Sequence, residues 1–396
     1  MRIVVQKFGG TSLATRDARK LVVERIIKTK EEGYSPVVVV SAIGRKGDPY
    51  ATDTLLSLLD ETGGYAPGRE KDLLISCGEV ISAALIASLL AARGYKARAF
   101  TGGQAGIITD DNFGNAMIKE VKADALLDAI KQGCIPVIAG FQGITENGDV
   151  TTLGRGGSDT TAAALGAALG AEWVDIFTDV EGIMTADPKI VKGAHILETI
   201  TYQEVTEMAY NGARVIHPRA VEIAMQRNIP LRVRSTFCDS PGTLITCKPC
   251  WISERLVTGI AHIPHLAQVV IKVSQDRDEQ EKIFDTLAKA GISIDLINVF
   301  PGLKVFTIKE DQVKRTVEEL EKIGIIPQVT KSLTKVTVVG VGMRGVPGVM
   351  ARIVKALERE NIEILQTSDS NSTISCLVRS ENAERAITAL HEEFEL

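Results

Sequence analysis

The chain is 396 residues long, 45% hydrophobic and 24% charged, which suits a globular protein of two or three domains rather than one core. A net charge of -5 and only 5% aromatic residues argue against a polyanion-binding surface or a base-stacking platform, so no nucleic-acid partner is expected. The most apolar run, VISAALIASLLAA (80–92), is shorter than a bilayer requires, the N-terminus does not read as a signal peptide, and six cysteines make no disulfide scaffold; a cytoplasmic protein without a membrane partner is expected.

Through residue 245 strands and helices alternate. Strand 2–7 feeds a helix over about 16–32, whose Ala18, Leu21, Val22 and Ile26 recur at helical spacing, and Gly33 ends it. PVVVVS (36–41) is a buried-strand run, followed by a polar loop and a long helix over 70–93. IPVIAG (135–140) is another strand, and ITENGDVTTL (144–153) a hairpin with Asn147-Gly148 at its tip. Helix 159–169, strand WVDIFT (173–178), helices 202–211 and 218–227 and strand LRVRS (231–235) complete the half. Continuous apolar strands between helices predict an α/β fold, a mostly parallel sheet sandwiched by helices.

From about 267 the order becomes strand, helix, strand, strand, helix, and then repeats. A shift of 70 aligns Phe284 with Val354, Leu287 with Leu357, Ile308 with Val378 and Leu320 with Leu390. One offset across several elements is an internal duplication, and two ferredoxin-like βαββαβ modules fit it. The second copy lacks residues for a fourth strand, whereas LVTGIAHI (256–263) has no partner upstream. The first module is therefore expected to be inserted in the second. The domains expected are 1–245; 264–333; and 256–263 together with 334–396.

Four stretches fall at strand ends, where ligands of open α/β sheets gather. Lys7-Phe8-Gly9-Gly10 places an ammonium beside amides freed by the glycines, which suits a phosphate. The loop 40–56 carries Ser41, Thr52 and Asp53, where Thr52 also suits a helix N-cap. In GRGGSD (154–159), glycines allow close approach and Arg155 can grip a carboxylate; Ser158 and Asp159 suit either helix capping or an anion site. Asp159 near phosphates requires a cation, whether Lys7, Mg²⁺ or a substrate ammonium. FTDVEGIMTADPKIV (177–191) ends a strand at Thr178 and Asp179. No metal-ligand spacing appears, the five histidines are scattered, and His217-Pro218 reads as a helix start. The lone Cys247-x-x-Cys250 reads as a linker. Gly340-x-Gly342-x-x-Gly345 has the dinucleotide spacing, but too few residues follow for a Rossmann domain.

KFGGTS (7–12), VSAIG (40–44), ATD (51–53), SCGE (76–79), GRGGSD (154–159), TDVEGIMTADP (178–188) and GARVIHP (212–218) together resemble the amino acid kinase family, in particular its aspartokinases. The duplicated modules are similar to that group's regulatory ACT pair, and the length and flanking motifs are most similar to Bacillus-type members. The resemblance implies transfer of phosphate from ATP, with Mg²⁺, to the side-chain carboxylate of L-aspartate, opening the route to diaminopimelate, lysine, threonine and methionine. It implies that Lys7 neutralises the transferring group and Asp159 orients Lys7. Phe8, Gly9, Gly10 and Ser41 would lie at the phosphates, and Thr52, Glu79, Arg155 and Ser158 would bind aspartate. Thr178, Asp179, Met184, Lys189 and Arg214 would surround the nucleotide, although Lys189 and Arg214 stand where members often carry arginine and lysine. An effector (diaminopimelate, lysine or threonine) is expected near Ser274, Asp276, Asp278, Asp295 and Asn298, and a homodimer through the ACT modules. The alternatives are a kinase of glutamate or N-acetylglutamate, or a non-catalytic amino-acid sensor.

Overall fold

The structure, a computed structural model, describes residues 1–63, 65–213, 215–247, 255–273 and 277–396, without the side chains of 277–280. Arg214, Cys250, Ser274, Asp276 and the Asp278 side chain therefore lie outside the described residues. The chain divides into two compact units. One holds Met1–Ile183, Ile196–Thr206 and residues 215–247; the other holds Met184–His195, Glu207–Ala213 and the described residues from 255 onward.

The first unit is built on an eight-stranded sheet. Its strand order is Thr199–Thr201, Thr243–Thr246, Leu231–Ser235, Val174–Thr178, Ile3–Phe8, Ser35–Val40, Ile135–Ala139 and Ala97–Phe100. All neighbours are parallel except Leu231–Ser235 with Thr243–Thr246. Alternate residues of a strand face opposite sides. Phe8, Val38 and Val40 pack with Val22, Ile26, Ile86 and Leu90 of helices Arg16–Glu31 and Gly68–Ala92. Lys7 points the other way, toward helix Gly157–Leu169.

Helix Gly68–Ala92 runs 25 residues, longer than its apolar run alone indicates, and by length and composition it could cross a membrane. It is instead a core helix: half of its most apolar window is buried, and it carries the buried carboxylates Asp72 and Glu79. A second, four-stranded sheet, in the order Ile118–Val121, Ile107–Thr109, Gln142–Ile144, Val150–Thr152, was only half legible as the hairpin at its end. Strands of three or four residues carry too short a pattern to register as a period.

The second unit has one six-stranded sheet, ordered Asp295–Phe300, Leu303–Lys309, Gly259–Lys272, Gln328–Val339, Thr373–Arg379, Gln366–Asp369. The duplication is visible residue for residue: Leu303–Lys309 shifted by 70 gives Thr373–Arg379. Gly259–Ile263 pairs with Lys335–Val339, beside the second copy, while Leu266–Lys272 pairs with Leu303–Lys309 of the first. The segment 256–263 does not stop where the sequence suggests. It continues as one strand through both modules, bent at register shifts beside His265, whose φ is 59°. Met184–His195 and Glu207–Ala213 cluster with this unit because Ala186 and Val191 join its apolar core with Val257, Val336 and Leu390. Thr185 Oγ1 bonds His391 Nε2 at 2.9 Å, and Asn211 Oδ1 accepts from Thr337 at 3.1 Å.

The dinucleotide-like glycines have a local explanation. A Cβ on Gly340 would lie 2.5 Å from Leu256 O, and one on Gly342 2.5 Å from Arg255 O. They admit a neighbouring backbone segment, not a cofactor.

Candidate active site

The C-terminal ends of strands Ile3–Phe8 and Ser35–Val40 open onto a cavity of about 460 Å³ in the first unit. Its lining includes Lys7, Gly10, Ser41, Thr52, Glu79, Arg155, Ser158 and Asp159, so residues far apart in sequence meet on one surface. Lys7 Nζ lies 2.7 Å from Asp159 Oδ1, with both side chains 12% exposed. Apart from that ion pair, Asp159 Oδ1 has no hydrogen-bond partner among the described residues.

Two expectations about helix starts are corrected. Helix Gly157–Leu169 is capped by Gly156, at φ 69°, with no side-chain cap, so capping does not explain Ser158 or Asp159. Gly156 is required there, since a Cβ would meet His217 Cβ at 2.3 Å. Helix Thr52–Ser57 has Ala51 as its N-cap, so Thr52 is its first residue instead. His217 does cap helix Pro218–Arg227 as the sequence suggests.

The paired glycine amides do not both remain available. Gly9 N–H donates to Phe177 O at 3.2 Å. Gly10, first residue of helix Gly10–Leu13, has no acceptor within that helix. Gly10 also has no room for a side chain, because a Cβ would lie 2.6 Å from Gly44 O. The Phe8 ring is core, stacked on Phe177 at 4.7 Å, so only its backbone borders the site.

Glu79 is 2% exposed. Its Oε1 accepts from Ala42 N–H at 3.0 Å, while Oε2 has no partner. Burial pushes its carboxyl up to about 8, against the pull of the Ala42 amide. A buried carboxylate with an orphan oxygen on a cavity wall is a place for a cation. Arg155 is exposed on the same cavity and makes no ion pair among the described residues. At the strand end Thr178 Oγ1 bonds Asp179 Oδ1 at 3.1 Å, and Arg45 reaches Asp179 Oδ2 at 2.6 Å.

Met184 and Lys189 belong to the second unit, where the Lys189 amide closes a turn on Asp187 Oδ1 at 2.9 Å. Of the expected effector residues, Asp295 pairs with Lys335 and accepts from Leu296 N–H at 2.8 Å, and Asn298 Oδ1 accepts from Gln366 Nε2 at 2.6 Å.

Lys71 and Ile75 also line the cavity and were not anticipated. The signal was present: Lys71, Ile75 and Glu79 are spaced by four on one helix and share a face. Asp72 is a second omission. Fully buried, it accepts from Thr152 N–H at 2.7 Å, Thr152 Oγ1 at 2.9 Å and Gly114 N–H at 2.8 Å, tying two wall segments to the core helix. Arg219 does similar work, donating to Leu153 O at 3.1 Å and Ala116 O at 2.8 Å.

Comparison with known proteins gives the same kinship as the geometry. The amino acid kinase family profile matches residues 2–235, and an ACT domain profile matches 328–392. Aspartokinase 1 of Bacillus subtilis is 50% identical over 403 residues, covering 100% of both chains. The crystal structure of E. coli aspartokinase III in complex with aspartate and ADP (R-state) superimposes with a TM-score of 0.80 at 27% identity, covering 100% of both chains. The same enzyme in complex with lysine and aspartate (T-state) gives 0.80 at 28% identity and 99% of both. The chain belongs to the amino acid kinase family, among its aspartokinases.

Proposed function

We propose that the chain phosphorylates the side-chain carboxylate of L-aspartate with ATP, yielding 4-phospho-L-aspartate and ADP. The observation that carries this is one cavity bearing the Lys7–Asp159 pair, Arg155, which has no ion pair among the described residues, and the buried Glu79 with its orphan oxygen. An amino acid answers those charges: its ammonium suits Glu79 and its α-carboxylate suits Arg155, leaving the side-chain carboxylate to react. Thr52 and Ser158 complete the aspartate contacts. The relatives described above support the same substrate pair.

The nucleophile is already ionised at neutral pH, so no general base is needed. A carboxylate oxygen attacks the γ-phosphorus, the bond from that phosphorus to the bridging oxygen breaks, and ADP leaves with the electron pair. Lys7 neutralises charge on the phosphoryl oxygens, and Asp159 holds the Lys7 ammonium in position. Gly10 N–H and Ser41 attend the phosphates, with Phe8 and Gly9 setting the backbone path. Thr178 and Asp179, in the same unit, attend the rest of the nucleotide. Mg²⁺, the expected companion of ATP, would supply further charge neutralisation at the phosphates.

Control is proposed through an amino-acid effector (lysine, diaminopimelate or threonine) at the first ACT module, around Ser274 to Asp278 and Asp295 to Asn298. A homodimer is proposed through the same module, whose edge strand Asp295–Phe300 exposes Ile297, Val299 and Phe300. The proposed domains are 1–245, 264–333, and 256–263 with 334–396. A coupled ADP-release assay comparing L-aspartate with L-glutamate and N-acetylglutamate tests the substrate. Turnover confined to aspartate supports the proposal, and turnover confined to either glutamate form replaces it.

A further inference from the structure

Gln6 and Lys7 leave strand Ile3–Phe8 on opposite faces. While Lys7 faces the candidate active site, Gln6 lines a separate cavity of about 180 Å³ in the same unit. That is about six waters' share of liquid volume. The space suits a small ion better than a nucleoside.

Four cations line it: Arg25 and Lys28 from helix Arg16–Glu31, and Arg232 and Arg234 from strand Leu231–Ser235. Arg232 is held by Asp175 through bonds of 2.7 and 2.9 Å and lies over the Trp173 ring. Arg25 and Lys28 share one carboxylate, Asp239. Arg234 has no carboxylate within ion-pair distance among the described residues. Among the described residues its hydrogen bonds are two of 3.4 Å to Ser240 O, longer than the usual range, and it lies 5.6 Å from the Phe177 ring centroid. Burial accordingly pulls Arg234 below its ordinary value. Glu32 also lines the cavity, at an exposed position. The cavity thus holds more positive charge than its own carboxylates neutralise.

A second observation is independent of that charge. Gln6 is 1% exposed. Its Nε2 donates to Thr29 Oγ1 at 2.9 Å, and Thr29 Oγ1 donates to Arg25 O at 3.1 Å, so in this arrangement the hydroxyl proton is already used and its oxygen accepts from the amide. Gln6 Oε1 is left as a buried acceptor without a donor among the described residues. A ligand that satisfies both features is an anion that keeps an O–H.

We propose that this cavity is a binding site for inorganic phosphate. Its charged oxygens meet Arg234, with Arg25 and Lys28 alongside, and its remaining P–OH donates to Gln6 Oε1. Sulfate and a phosphate-monoester dianion match the charge but carry no proton for Gln6. The site therefore discriminates on one hydrogen bond.

Trp173 lines the cavity, and Trp251→Phe makes it the chain's sole tryptophan. Titrating the Trp251→Phe protein with inorganic phosphate at neutral pH and constant ionic strength is expected to give a saturable change in emission. Sulfate and glycerol 2-phosphate should bind about tenfold more weakly. Arg234→Gln should weaken phosphate about tenfold or more, and Gln6→Met should bring phosphate and sulfate together. Lys7→Ala should titrate like its parent, since it alters only the other cavity. If Arg234→Gln does not fold, Arg25→Gln, at a part-buried helix position on the same cavity, serves in its place and should weaken phosphate likewise. No saturable response, equal responses to phosphate and sulfate in the parent, or a response lost in Lys7→Ala but kept in Arg234→Gln would overturn the assignment.

Discussion

Lys7 Nζ and Asp159 Oδ1, 152 positions apart in sequence, meet at 2.7 Å on the wall of one cavity, each side chain 12% exposed. The strand end fixes one partner and the first turn of a glycine-capped helix fixes the other, so the ammonium is aimed before any ligand arrives. In the proposed mechanism, removing Lys7 deletes the charge offered to the phosphoryl group. We expect Lys7→Ala to lower kcat by about 10²-fold or more while far-UV circular dichroism stays native. Asp159→Asn should lower kcat with a smaller effect, because it disorders the ammonium without deleting it. Wild-type turnover in Lys7→Ala refutes the assigned role.

Glu79 sets a pH dependence with a definite sign. Its carboxyl is pushed up to about 8 by burial, so the empty protein holds this proton near neutral pH. A substrate ammonium favours the ionised form, and binding at pH 7 should therefore release a proton. The apparent affinity for aspartate should rise with pH until the pH passes about 8. Calorimetry in buffers of different ionisation enthalpy reads the released proton directly. Glu79→Gln should abolish the release and weaken aspartate. Stability runs the opposite way. Because the folded-state value lies above the ordinary one, the protonated form's stability is full below about pH 4.5 and is lost as pH rises through about 8. Without ligand, Glu79→Gln should thus raise Tm more at alkaline than at acid pH.

The two neighbouring glycines should part company under substitution. A Cβ on Gly10 would lie 2.6 Å from Gly44 O and 2.8 Å from Ala42 O, both backbone atoms with little freedom to give. Gly10→Ala should cost roughly 1–3 kcal/mol in urea unfolding. At Gly9, φ is -72° and the nearest atom to a Cβ is Lys7 Nζ at 3.6 Å, an ordinary contact. Gly9→Ala should leave stability close to wild type. Equal losses in the two variants would mean the turn is not held as described.

Most of the fold was legible because long elements advertise their period. Helix Arg16–Glu31 and the apolar strands Ser35–Val40 and Ile135–Ala139 lie within a residue or two of the bounds read from sequence. The cavity residues were legible through motif resemblance, since no spacing rule brings Lys7 to Asp159. Apart from Lys71 and Ile75, whose spacing with Glu79 was there to be read, what escaped had no local signature. Asp72 reads as one more charge on a helix until Thr152 and Gly114 fold onto it. The passage of Gly259–Lys272 through both ACT modules depends on bulges that sequence does not announce. Gln6, a polar residue in an apolar strand, was passed over because its significance lies in Thr29, Arg25 and Arg234, on two other elements.

Asp72 should prove structural rather than chemical. It accepts three hydrogen bonds that tie residues 114 and 152 to helix Gly68–Ala92. Asp72→Ala leaves those donors unsatisfied, at roughly 1–3 kcal/mol for each buried group. Urea unfolding should show a loss of that order, and hydrogen exchange should quicken at the Thr152 and Gly114 amides. Undiminished protection there would contradict the tie.

The central claim is that this cavity turns a side-chain carboxylate into an acyl phosphate. The most direct measurement is to run the reaction with ATP and L-aspartate in hydroxylamine, which captures an acyl phosphate as the hydroxamate, and to quantify that product against ADP. Equal amounts of the aspartate side-chain hydroxamate and ADP, both abolished by Lys7→Ala, are the predicted result. ADP formed without hydroxamate, or hydroxamate formed from glutamate and not from aspartate, would contradict the account.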